Sequence, residues 1–374
     1  MTQPRDIVIG AGIVGVALAR ALASRGRAVT VFDTTPVPQG ASIRNFGTLW
    51  PVGQPAGPRR DLALRSLAIW RDVLASSGCW SGPGHSLHLA YHTDEWQVLE
   101  QFADQAHADG FECRLLGPAA TLARQPRIRK DGLLGALESR HELQVNSRQA
   151  LVRIPEWLRD TQGVRFERGV RVTSTTDRVV RAGNRRWEAD RVWLATGDDL
   201  QTLYPDTFQA LGLRRCKLQM MRTSPVDWRL GTMLAAGLTL GHYESFRTCP
   251  GLGALRTRLV KDWPLQVEHG VHVLVSQHDG GHLVLGDSHE YDDAITPFDH
   301  PSIDGLILDY LRTFLDVEPL DVEQRWHGIY VKHPTEPYCI ASPEDGITAV
   351  VGLGGHGMTL SFALAEQVVE SALS

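Results

Sequence analysis

Lysine is nearly missing from this chain. Of the 38 basic residues in 374, four are lysines: Lys130, Lys217, Lys261 and Lys332. The basic residues are outnumbered by 43 acids, giving a formal charge of −5, and they are scattered among those acids. That disfavours nucleic acid as a partner, since such binding draws on clustered positive charge to displace phosphate counterions. Cysteine is scarce too. Cys79, Cys113, Cys216, Cys249 and Cys339 form no CxxC and no Cys/His ligand spacing, so neither a disulfide framework nor a zinc site is expected. HExxH, Gly-x-Ser-x-Gly and repeated acidic patterns are absent, and the pairs His85/His88 and His278/His282 lack a third ligand, so no metal is predicted. The longest uncharged apolar run, Ile7 to Ala19, falls short of the ~20 residues of a spanning helix and is broken by Gly10, Gly12 and Gly15. No membrane role is expected. The opening residues Met1 to Asp6 lack the basic, apolar, small-residue order of a signal peptide, which predicts a cytoplasmic protein.

What is present is the composition of an ordinary globular protein, 43% hydrophobic and 22% charged, long enough for two domains. The first stretch reads as strand (Ile7–Ile9), tight turn (Gly10 to Gly15), helix to Ser24 and strand (Val29–Asp33), a complete βαβ unit. Buried strands are also predicted at 191–197 and 347–352, the second leading through glycines into an amphipathic helix from about Met358 to Leu373. Helical periodicity covers 61–77 and 94–109. An Asp279-Gly280-Gly281 turn between β-branched runs predicts an antiparallel hairpin over 271–285. The economical arrangement is a Rossmann-like dinucleotide domain from 1–90, 145–205 and 325–374, with a second domain built from the insertions 91–144 and 206–324: an α/β fold, α+β overall.

Gly10-x-Gly12-x-x-Gly15 is weak alone but strong in this setting. It follows a strand, opens a helix, and is followed 18 residues later by Asp33 at the end of the next strand. Gly10 permits the turn, Gly12 admits a pyrophosphate to the backbone, Gly15 lets helix and strand pack, and Asp33 accepts ribose hydroxyls. The helix N-terminus, at Ile13 and Val14, offers amides and a positive dipole end to the phosphates. NAD and FAD share this unit, and the motif by itself leaves both open.

Four stretches in order resemble the FAD-dependent amine and amino-acid oxidoreductases, the family of D-amino acid oxidase, glycine oxidase and sarcosine oxidase. They are the fingerprint with Asp33; the loop Ala41-Ser42-Ile43-Arg44-Asn45-Phe46-Gly47; Ala195-Thr196-Gly197; and the closing Gly352-Leu353-Gly354-Gly355-His356-Gly357-Met358-Thr359-Leu360. The resemblance implies FAD, a parallel-sheet flavin domain and an antiparallel substrate domain. It further implies oxidation of a small amine by hydride transfer to flavin N5, then imine hydrolysis to an aldehyde, with O2 or another acceptor taking the electrons. Gly354, Gly355, Gly357 and Met358 are candidates to face the flavin where negative charge develops, through backbone donors at a helix start, and His356 is a further one.

The departures from the family pattern carry as much information. Amino-acid oxidases of this type grip the substrate carboxylate with an arginine where this chain has Tyr330. Sarcosine oxidases carry a covalent flavin on a cysteine where this chain has Gly328, so a noncovalent FAD is expected. In place of the arginine, Lys332, His333 and Lys217 are expected to anchor an anionic substrate with Tyr330, a donor set better suited to a dianionic oxyanion than to a flat carboxylate. The wording Ser42 to Gln54 resembles a bacterial subgroup associated with organophosphonate breakdown, which implies an aminophosphonate. Glycine, sarcosine or a D-amino acid is the alternative within the class; a flavin-carrying subunit without its own catalysis is the alternative outside it.

Overall fold

A computed structural model describes residues 3–292 and 294–374. It is built on two sheets. The first has six strands in the order Cys339–Glu344, Ile347–Val351, Arg191–Leu194, Arg5–Ile9, Ala28–Asp33, Arg165–Arg168. All neighbours are parallel except Cys339–Glu344, which runs antiparallel to Ile347–Val351. Strands covered on both faces need apolar residues at nearly every position, and Ile7, Val8 and Ile9 are all buried. Their alternation divides them: Val8 packs into a core with helices Ile13–Ala23, Pro58–Ser77, Ser147–Gln162 and Gly357–Leu373, while Ile7 and Ile9 pack with Val180 and Trp187 of a three-stranded antiparallel sheet on the opposite face.

The second sheet is large and almost wholly antiparallel; the pair Met233–Ala235 with Ser86–Ala90 is parallel. Its longest strand, Arg214–Pro225, is paired on one side along nearly its whole length by Val322–Lys332. On the other it meets Glu290–Asp292 and then His282–Gly286. Helices Thr93–Ala108, Leu252–Asp262 and Pro301–Phe314 share its core. The fold class read from the sequence is the one observed, and the predicted helices and hairpin are present as Pro58–Ser77, Thr93–Ala108 and the pair Leu274–Gln277 with His282–Gly286.

Two predicted boundaries shift. Ser86–Ala90 pairs with Gly135–Ser139 in the second sheet, so the chain changes sheet before residue 86 and not at 90. Val322–Lys332 likewise belongs to the second sheet, so the last return to the first comes after Lys332 and not at 325. The crossings run through 78–85 and 333–338, where Gly78, Gly82, Pro83 and Gly84, and Pro334 and Pro337, mark turns without saying which sheet the neighbouring strand joins.

Candidate active site

Two adjoining cavities run along the seam between the sheets. The first, about 470 Å³, is lined by Gly10, Gly12, Ile13, Val14, Asp33, Ser42, Arg44, Ala195, Thr196, Gly197 and Gly354. The second, about 340 Å³, shares Ile13, Ser42, Arg44, Tyr330, Gly354 and Gly357 with it and adds Asn45, Phe46, Gly355, His356 and Met358. Every predicted cofactor residue except Gly15 and Gly47 therefore lines one cavity or the other.

The glycine turn is shaped by contact. At Gly10, where φ is +107°, a Cβ would lie 2.1 Å from Ala195 O, and at Gly15 it would lie 1.8 Å from Gly10 O. These two glycines hold strand, turn and helix together. At Gly12 the nearest atom to such a Cβ is Ser42 Oγ at 3.1 Å, on the cavity side. Ser42 Oγ also accepts the Ile13 N–H at 2.9 Å, and the first intrahelical bond is Val16 N–H to Gly12 O. Asp33 accepts the Ala11 N–H at 2.7 Å through Oδ2 and the Thr35 N–H and hydroxyl, each at 2.9 Å, through Oδ1. A carboxylate has about four acceptor positions, so Asp33 keeps capacity for a ribose hydroxyl.

The loop over the second cavity is stitched to the strand behind it. Asn45 Nδ2 donates to Ala41 O and Ser42 O, its Oδ1 accepts the Gly47 N–H, and Arg44 donates to His327 O at 3.0 Å. Gly47, at φ +69°, would place a Cβ 1.9 Å from Val145 O, so it is a packing glycine and not a cofactor contact. At the far wall, His356 Nδ1 meets Gln54 Nε2 at 3.1 Å, and burial holds its imidazole down at about 4. Met358 O accepts the Trp70 indole N–H at 2.8 Å, which ties the start of the closing helix to Pro58–Ser77.

A narrow trough floored by a glycine turn, with an acid at one end and a second glycine loop at the other, fits an extended dinucleotide. A family model described as "FAD dependent oxidoreductase" matches residues 7–371. The chain belongs to the FAD-dependent oxidoreductase family. FAD is accordingly its cofactor, and Gly328 offers no thiol for a covalent bond and packs on the Arg44 backbone. A D-amino-acid oxidase of Streptomyces coelicolor is 33% identical over 73 residues, a stretch spanning 19% of this chain and 23% of that protein. Among solved structures, glycine oxidase from Bacillus cereus superposes with a TM-score of 0.81 at 16% identity, covering 99% of this chain and 95% of its own. L-proline dehydrogenase from P. horikoshii gives 0.79 at 18%, covering 98% and 92%.

The four residues predicted to handle the substrate separate into two pairs. Along Val322–Lys332, Gly328, Tyr330 and Lys332 face the second cavity. Lys332 Nζ sits 5.9 Å from the Tyr291 ring centroid, and among the described residues no carboxylate pairs with it. Burial raises the Tyr330 phenol well above its ordinary range, so it stays a neutral donor. Lys217 is a correction. On Arg214–Pro225 the even positions Leu218 and Met220 face the cavity, and period-two alternation sends Lys217 to the other face. It is 1% exposed there, held by Thr296 O at 3.1 Å, Phe298 O and the Asp299 carboxylate at 3.1 Å. His333 is a second correction: it lies outside the cavity wall, and its Nδ1 accepts the N–H groups of Thr335 and Glu336 and so caps a surface turn.

Sequence reasoning missed the residues that make the cavity polar. His242, His272, His289, Asp287, Tyr243 and Tyr291 all line it. Burial lowers the histidines, His289 to about 4, and raises the Asp287 carboxyl well above the carboxylate range. They lie on three segments with no shared spacing, so no linear motif betrays them. The histidine pairs that do show spacing lead elsewhere: His88 is fully buried and His278 faces Phe46 O at 3.2 Å.

Proposed function

We propose that the protein is an FAD-dependent oxidase of a small primary or short-chain amine bearing an anionic tail, a phosphonate in particular. Lys332 carries this reading. A lone ammonium with an aromatic ring beside it and no carboxylate partner among the described residues stands ready for an anion brought in by the substrate. Tyr330, two residues earlier on the same strand face, adds a neutral hydroxyl donor near Gly355, where a Cβ would lie 3.7 Å from its oxygen. An ammonium and a hydroxyl satisfy the several oxygens of a tetrahedral anion, whereas a flat carboxylate matches the planar arginine fork that this position lacks.

FAD held along the first cavity would supply a two-electron acceptor, with O2 proposed as the final acceptor. The chain's own task is placement. Lys332 and Tyr330 hold the tail, which fixes the distance from tail to reacting C–H bond and so selects short substrates. Trp50, Phe46, Leu218 and Met220 close the remaining wall with apolar surface, lowering the local dielectric and strengthening the Lys332–anion attraction. The imidazoles around the cavity are neutral, so the positively charged side chains that line it are Lys332 and the arginines Arg44 and Arg247. Of these, Arg44 is already bonded to His327 O and Arg247 lies 3.5 Å from Glu244.

The test is an anaerobic screen of visible-band bleaching with short amines carrying phosphonate, carboxylate or neutral tails, followed by oxygen uptake for those that bleach. Phosphonates are expected to bleach fastest. Bleaching confined to carboxylates would transfer the reading to a glycine or D-amino-acid oxidase; no bleaching by any amine would leave a flavin-carrying subunit.

A further inference from the structure

His242 ends the helix Gly237–His242, His272 precedes the strand Leu274–Gln277, and His289 follows the strand His282–Gly286. Their candidate ligand nitrogens all lie within 4.8 Å of one another, and all three residues line the second cavity. The two nitrogens of His289 are sorted into different roles. His289 Nδ1 lies 3.1 Å from Gly270 O; as the backbone oxygen is an acceptor, Nδ1 carries the proton and Nε2 is left as a lone pair. His272 Nε2 lies 3.2 Å from Asp287 Oδ1 without reaching hydrogen-bond geometry, and its Nδ1 is buried without any hydrogen-bond partner. His272 itself is 3% exposed. An orphaned polar atom at such depth costs about 1–3 kcal/mol, a cost that a bound partner at this nitrogen would relieve.

A neutral imidazole with one nitrogen fixed by an oxygen and the other bare is the donor state of a metal ligand. We propose that His242, His272 and His289 form a binding site for one divalent first-row transition ion of the Zn²⁺ type, with the Gly270 carbonyl orienting His289 from behind and the Asp287 carboxyl close beside His272. Three imidazole nitrogens select such an ion over Mg²⁺ or Ca²⁺, which take oxygen ligands. Metal–nitrogen bonds of about 2.0–2.1 Å put the ring centroids of two ligands about 5 Å apart at tetrahedral angles. The His272–His289 pair, at 5.1 Å, already has that separation, and His242–His289 is at 4.6 Å. His242–His272, at 3.8 Å, must open by about 1 Å, and His242 is the ring without a hydrogen bond to hold it among the described residues.

All three histidines line the second cavity, so an ion held by them would lie within reach of a ligand in it. If the anionic amine proposed above is the substrate, its tail oxygens complete the coordination beside Lys332, and this consequence rests on that reading. The site itself does not.

The experiment is a titration of the FAD-loaded protein, stripped with a chelator, with ZnCl2 and separately with MgCl2, read by calorimetry in the absence of any amine. One equivalent of zinc and no magnesium are expected to bind. The double variant His272→Ala/His289→Ala is expected to lose that equivalent while keeping its flavin spectrum, and Asp287→Asn to weaken uptake about 10- to 100-fold. His242→Ala serves as the second probe should the double variant fail to fold, and it too is expected to lose tight uptake. Absence of stoichiometric zinc binding to the unaltered protein, or full retention in His242→Ala and the double variant, overturns the site. Since no substrate is present, a protein that binds zinc without bleaching refutes only the amine reading, and one that bleaches without binding zinc refutes only the metal site.

Discussion

The two cavities are built in opposite ways. The first is lined by short contiguous runs, Gly10 to Val14, Ala195 to Gly197 and Gly352 to Gly354, each lying where a parallel strand ends. Apart from the closing loop Gly354 to Thr359, the second draws its lining from scattered places: the loop at 41–50, the end of the helix Gly237–His242 and the residues after it, the segments around 272 and 287–291, and one face of Val322–Lys332. A phosphate-bearing cofactor is met by backbone amides, and backbone is positioned by local sequence. A small substrate is met by side chains, which need only converge in space. So the first cavity tolerates little change in its glycines, whereas the second tolerates change in its scaffold and depends on a few tips.

The comparison breaks or holds at measurable points. Gly15→Val sets a side chain against Gly10 O, where even a Cβ would come to 1.8 Å. The expected loss is about 4 kcal/mol or more, seen as little soluble, flavin-loaded protein; a variant with normal yield and normal yellow colour would mean that the turn is not the rigid element described. Next, the two lysines on neighbouring strands should part company. Lys332→Ala is expected to raise KM for an anionic amine about 10- to 100-fold, the cost of a charged hydrogen bond, with flavin content unchanged. Lys217→Met is expected to leave KM alone and lower unfolding free energy by about 2 kcal/mol, because it breaks a buried contact to the half-exposed Asp299. Equal kinetic effects from both would erase the assignment of strand faces.

The smallest effect is that of pH. His289 and His356 are each lowered to about 4 by burial, so between their ordinary value and 4 the unfolded chain binds protons that the folded chain refuses. Stability therefore rises with pH across that window and is lost on acidification. Asp287, raised by burial, acts in the reverse sense and cancels part of this. Urea unfolding of the FAD-loaded protein is expected to show lower stability at pH 5 than at pH 7, and His289→Phe should flatten the slope. A flat profile in the unaltered protein would show that the second cavity is wetter than its side-chain packing indicates.

The parallel sheet, the glycine turn, Asp33 and the closing helix were legible because each is a local pattern: an apolar run, a turn residue, a helical period. Residues 86–90 and 325–332 were assigned to the wrong side because an apolar strand does not declare which sheet it will join. Lys217 and Lys332 were equally attractive in the sequence, since both are rare residues on strands beside the cofactor. Only the register of Arg214–Pro225 against Val322–Lys332 decided between them, Lys217 pairing with Ile329 and Arg214 with Lys332. A slip of one residue would have exchanged the faces.

The amino-acid order alone thus determined a dinucleotide trough with its glycine floor and acid terminus, because backbone conformation and neighbouring side chains act over a few residues. Which ammonium enters the substrate cavity, and that His242, His272 and His289 meet there with Asp287 behind them, was decided by tertiary structure. Such groups are brought together by sheet pairing and chain crossing, and these depend on contacts between segments that carry no mark of one another in the sequence.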